Sequence, residues 1–194
     1  MSAAGKVCTG FSLPYVALYS CSSGTVTYSS GQKLARGVDV SIEPETSDDS
    51  DFYADNVLAE SSGRKFIRGT VTLTVDGLLM AAERLIMGLP TGSGDWVPYD
   101  DNQDVPYVGI GFIARYMSDG AESFVPYILT KCQFDEISSA AATQGEDIDW
   151  QTQTLTAKIY RDGSADHVWK KVGKSELATE AAAEVLIKTA FSIT

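Results

Sequence analysis

Apolar residues along most of the chain recur with a period of two. In FIRGTVTLTV (66–75), Val71, Leu73 and Val75 alternate with Thr70, Thr72 and Thr74. Successive side chains of a strand point to opposite faces, so this segment predicts one buried face and one polar face. DWQTQTLTAKIY (149–160) alternates in the same way, with Thr152, Thr154 and Thr156 opposite Gln153, Leu155, Ala157 and Ile159. YVGIGFIARY (107–116) sets Val108, Ile110, Phe112 and Ala114 on one face and Gly109 and Gly111 on the other, where small residues suit close packing over a sheet. LARGVDVSI (34–42) predicts a strand with Leu34, Val38, Val40 and Ile42 on one face. FVPYILTKCQF (124–134) predicts another, with Pro126 marking an edge or a bulge. Near the N-terminus, PYVALYS and TVTYS flank Ser-Ser-Gly and predict a hairpin.

Two stretches change period. Leu78, Leu79, Ala82, Leu85, Ile86 and Leu89 form one helical stripe, which Asp76 can cap and Gly88 and Pro90 end. A second helix is expected at about 175–188, where an Ala-rich face buries little area and suits docking on a partner or partial mobility. Residues 43–65 and 90–106 read as long loops, a length that usually signals function or disorder. Strands, one helix, then more strands predict a mainly β chain with α: a β-sandwich or partial barrel with one flanking helix and extended loops or arms.

Charge sharpens this picture. The net charge is −11, and it is concentrated. Residues 43–60 hold seven acids and no Lys or Arg, and residues 95–104 hold four more acids and no base. The remaining 166 residues hold 15 acids and 15 bases. Nucleic-acid binding through phosphate neutralisation needs clustered cations, which this distribution lacks. No apolar run approaches the ~18 residues of a membrane-spanning helix, and no secretory signal is read at the N-terminus. Cys8, Cys21 and Cys132 are odd in number and form no CxxC pair, which predicts free thiols.

Catalytic chemistry finds little support. His167 is the one histidine, so histidine-pair metal sites and triads with a second histidine are excluded, and a loop or surface role is expected for it. GKS (173–175) resembles the end of a phosphate-binding loop, but Val168 stands where the first glycine belongs. GSG (92–94) lacks the spacing of a nucleophile elbow. Asp49, Asp51, Asp55 and Glu60 fall at calcium-loop spacing, yet Tyr53 and Ala54 replace a ligand and the turn glycine. No metal, cofactor or catalytic residue is assigned. Of the tryptophans, Trp150 lies in a strand pattern, while Trp96 and Trp169 are the candidates for stacking a sugar.

The order of motifs carries a family resemblance. PYVGIGF (106–112), the Asp119-Gly120 turn, KCQF (131–134), TQGEDIDWQT (143–152), TLTAKIYR (154–161) and DGSADHVWKKV (162–172) follow one another. Ahead of them come a strand at 34–42, YADN (53–56), a Thr-Val strand and DGLLMAAERLIMG (76–88). This succession resembles the major tail proteins of bacteriophages with long non-contractile tails. The resemblance implies a structural virion protein: hexameric rings stack into a tail tube that houses a tape-measure protein and conducts DNA without binding it specifically. It implies tail terminator and distal tail proteins as partners at the tube ends, a place in the virion tail after synthesis in the host cytoplasm, and no membrane.

On this reading the chain is a single tail-tube domain over 1–194, with an N-terminal arm at 1–13, an inter-ring loop at 43–65 and a C-terminal helix or arm at 173–194. The loop's contact residues are Asp48, Asp49, Asp51, Tyr53 and Asp55. The expected basic counterpart on an adjacent subunit is Lys158, Arg161, Lys170, Lys171 and Lys174. A bacterial secretion-system tube subunit of the same fold and a carbohydrate-binding β-sandwich are the alternatives.

Overall fold

The computed structural model describes residues 5–49, 51–90, 95–101, 103–139 and 151–193. Among these residues, ten strands and two helices follow in chain order. They are β1 (Val7–Ser22), β2 (Thr25–Lys33), β3 (Gly37–Thr46), β4 (Asp51–Ala54), β5 (Val57–Ser61), β6 (Phe66–Val75), α1 (Met80–Met87), β7 (Val108–Ser118), β8 (Ala121–Phe134), β9 (Gln153–Tyr160), β10 (Lys170–Val172) and α2 (Glu180–Ala190). One antiparallel sheet runs β2-β1-β7-β8-β9-β6-β3, with β10 also on β8; β4 and β5 pair only with each other. Residues 143–150 of the resemblance, Trp150 and the GSG at 92–94 lie outside the described residues.

Three hairpins turn on two residues that both have positive φ: Ser23-Gly24, Asp55-Asn56 and Asp119-Gly120. That is the signature of type I′ turns, whose twist matches the strands they join. The sheet curls, so β1 comes back against β3. The Leu34 N–H donates to the Pro14 carbonyl at 2.8 Å, and the Phe11 ring lies where a side chain on Gly37 would stand. The result is the expected sandwich or partial barrel. Its interior holds Val16, Val71, Leu73, Val75, Ile110, Phe112, Leu129, Leu155 and Ile159, and α1 closes it with Ala82, Ile86 and Met87.

Several expectations are corrected. Residues 7–13 are part of β1, paired with β7 from Val7↔Met117 onward, and are not an arm. Val38 is exposed, because a bulge between Gly37 and Asp39 drops it from the ladder; an unpaired extra residue breaks the alternation. Asp76 does not cap α1. It accepts from the Arg36 backbone N–H at 2.9 Å and pairs with the Arg36 guanidinium at 2.7 Å, and the helix begins after Leu79. Gly88, left-handed at φ 66, ends the helix as expected. Pro126 lies in a central strand. It pairs with Ile113 of β7 and lies just past the last β10 pair, Val172↔Tyr127, and its carbonyl accepts from the Gly173 N–H at 2.8 Å.

The largest correction is α2. It covers the outer face of its own sheet, burying Ala183, Ile187 and Phe191 against Tyr15, Ala17 and Ile113. Glycines make the room. A Cβ on Gly111 would sit 2.7 Å from Ile187 Cγ2 and 2.9 Å from Phe191 Cε2, and one on Gly109 would meet the Tyr28 ring at 2.5 Å. The Thr179 side chain caps the helix by accepting from the Ala182 N–H at 3.3 Å. A polar seam runs along it: Tyr15 donates to Glu184 at 2.5 Å, Ser12 donates to Glu180, and Lys6 pairs with Glu176 at 2.7 Å. No helix among the described residues is long and apolar enough to cross a membrane.

Candidate interaction site

Residues 43–65, expected as a loop, hold the end of β3 and the strands β4 and β5. β3 and β6 stay paired out to Thr46↔Phe66, Ser47 and Lys65 bond at the neck, and β4 and β5 form a two-stranded arm beyond it. The Asp-Asn turn explains the arm, since Asp and Asn tolerate the left-handed conformation that a two-residue hairpin needs. An Asp-Asn pair between Phe52-Tyr53-Ala54 and Val57-Leu58 was a legible hairpin signal, outweighed by the run of acids around it.

Every residue of β4 and β5 is exposed. Tyr53 faces Leu58 across one side of the ladder, and Phe52 and Ala54 lie on the other side, with Val57 opposite Ala54. Phe52, Tyr53 and Val57 are each more than 60% exposed. Hydrophobic side chains on both faces of an isolated hairpin have no core to enter, and such a pair is at best marginally stable alone. Around them stand the acids. Glu45 pairs with Arg68 at 2.6 Å and Asp49 with Arg64 at 3.4 Å. Asp48, Asp51 and Asp55 make no ion pair among the described residues.

The five basic residues expected as a counterpart lie along one line of the sheet. β9 runs antiparallel to β8 as far as Tyr160↔Lys131, leaves it for residues 161–169, and resumes as β10 from Lys170↔Leu129. Buried Asp162 organises the excursion by accepting from the Ser164 N–H at 3.1 Å, while its own N–H donates to the Val168 carbonyl. His167 lies exposed in this excursion at φ 50, with Nδ1 3.4 Å from the Asp162 carbonyl oxygen.

The line divides by occupation. Lys158 pairs with Asp135 at 3.8 Å, the Arg161 guanidinium donates to the Phe66 carbonyl at the foot of its own arm, and Lys170 stacks over Trp169 at 4.7 Å. Lys171 and Lys174 are exposed and make no ion pair among the described residues.

Trp169 is unavailable as a sugar platform. Phe66 stacks on it at 4.3 Å with planes 6° apart, and Lys170 lies over its ring. Trp96 is 88% exposed beside Glu83, Asp95 and Tyr99. The Tyr99 hydroxyl donates to Glu83 at 2.9 Å, and partial burial together with that bond pushes its pKa up to about 12. All three cysteines are free; burial raises the pKa of the Cys132 thiol and keeps it protonated.

No protein-family model matches the chain, and none of the curated proteins matches it.

Proposed function

We propose that the chain is a structural subunit of a hollow polymer, the tail tube of a bacteriophage with a long non-contractile tail. The observation that carries this reading is the β4–β5 arm. It is a preformed element with apolar side chains on both faces and nothing among the described residues to cover them. A partner is the physical remedy for such a surface.

The sheet supports the same reading. It is curled but open, and β2 and β3 are its two edges. An open edge presents unpaired N–H and C=O groups that a sister strand satisfies. A head-to-tail contact that closes on itself makes a ring, and stacked rings make a tube. The acidity suits a conduit, because a chain of net charge −11 repels phosphate and lets DNA pass. The function is then mechanical, with the tape-measure protein and later DNA as contents of the lumen.

Negative-stain electron microscopy of the purified full chain, at rising concentration, tests this. Hollow rings or tubes are the expected outcome. A monodisperse monomer at high concentration, or a filled fibre without a channel, overturns the reading.

A further inference from the structure

Two of the apolar depressions on the body differ in the charge around them. One lies on α1, where Met80, Leu89, Trp96 and Val97 surround a cavity of about 280 Å³ rimmed by Glu83, Asp95 and Arg84. The other lies beside α2, where Pro126, Ile128, Val172 and Leu186 line a cavity of about 130 Å³ with Lys171 on its rim. Lys174 follows two residues after Val172. The floor of this second groove is almost wholly apolar, and its volume suits one large side chain. Val172 and Leu186 are each about half exposed, so the groove opens to solvent.

We infer that this groove between β10 and α2 receives the β4–β5 arm of a second copy of the chain. The inference rests on the polymer reading above and names the acceptor surface within it. Charge selects between the two depressions. Asp48, Asp51 and Asp55 of the arm make no ion pair among the described residues; on the α1 rim Glu83 and Asp95 outnumber Arg84 and oppose them, whereas the lysine rim beside α2 attracts them. Occupation selects among the cations. Lys158, Arg161 and Lys170 are already engaged within the chain, which leaves Lys171 and Lys174 to meet the arm's carboxylates. Apolar fit completes the match: an arm side chain such as Phe52 or Val57 fills the groove, while the charges pair at its rim and set the register. Of the basic residues anticipated from sequence, two form the contact, and the hydrophobic partner is α2.

A charge-swap cycle tests the contact. The K171E/K174E chain should raise the concentration needed for assembly at least about tenfold, because attraction at the rim becomes repulsion. D48K/D51K should do the same, and the chain carrying all four changes should recover assembly near the wild-type concentration. Circular dichroism should show all three variants folded like the wild type. Assembly of K171E/K174E at the wild-type concentration, or failure of the fourfold variant to recover, overturns the contact while leaving the tube reading standing. A wild-type chain that stays monomeric overturns both. Charge-dependent self-association without hollow particles supports the contact and overturns the tube.

In a C8S background, oxidation of V57C chains mixed with V172C chains should give a disulfide between copies. A V57C/V172C chain that instead closes its bridge within one monomer places the arm on its own groove and overturns the inference.

Discussion

The C-terminal helix and the β4–β5 arm are both short additions to the same sheet, and each carries a few large apolar side chains on a polar background. They end in opposite states. α2 sinks Ile187 and Phe191 completely into a trough floored by Gly109 and Gly111, and a polar seam holds it in place. The arm holds Phe52, Tyr53 and Val57 in solvent. Side-chain hydrophobicity alone does not separate them. The sheet offers α2 a complementary surface within the chain, whereas the arm projects beyond the end of its own ladder. One region is therefore fastened by folding, and the other is left for association.

Substitutions should expose this contrast, and the largest effect belongs to α2. Phe191→Ala should lower folding stability by about 3–5 kcal/mol, the cost of deleting a fully buried aromatic ring. Phe52→Ala should leave the stability of the monomer within about 0.5 kcal/mol of wild type and act on assembly instead. Denaturant unfolding of both chains checks the pair; equal losses would erase the distinction. Next, Gly111→Val should cost about 1–3 kcal/mol by crowding the trough and lifting α2, read as loss of amide protection across the helix. Thr179→Ala should cost about 1 kcal/mol by leaving the first turn of α2 without its cap.

The smallest expected effect is pH-dependent. Hydrogen bonds, first from Tyr15 and then from Lys188, hold the Glu184 carboxyl below its ordinary value of 4.5. A depressed folded-state pKa gives stability that is complete above the ordinary value and declines as pH falls through the lower one. The difference in melting temperature between wild type and Glu184→Gln should thus be present at neutral pH and close in acid.

Much of the fold was legible in the residues, and the exceptions have identifiable causes. Val71, Leu73 and Val75, and Val108, Ile110 and Phe112, fall on the interior face that their alternation predicts. The Ser23-Gly24 and Asp119-Gly120 turns close the hairpins expected of them. Val38 was misplaced because a bulge shifts the phase of a strand without any mark in its composition. Asp76 precedes the helical stripe at a position that suits a cap, but Arg36, forty residues earlier in the chain, takes its carboxylate. The acidic segment concealed an ordered hairpin, because runs of charge resemble a loop while the Asp-Asn turn and its flanking apolar residues specify strands.

Local order in this protein is set by sequence neighbours. Side-chain alternation, helical spacing and turn residues act within a few positions, so the long strands of the main sheet, α1 and most turns follow from the sequence by itself. The tertiary structure alone decided which apolar surfaces are covered. It brought Gly109 and Gly111 under α2, used Arg161 and Lys170 at the foot of the arm, and left Lys171 and Lys174 without ion pairs among the described residues. Burial and ion pairing depend on distances between residues far apart in the chain, and no local pattern encodes those distances.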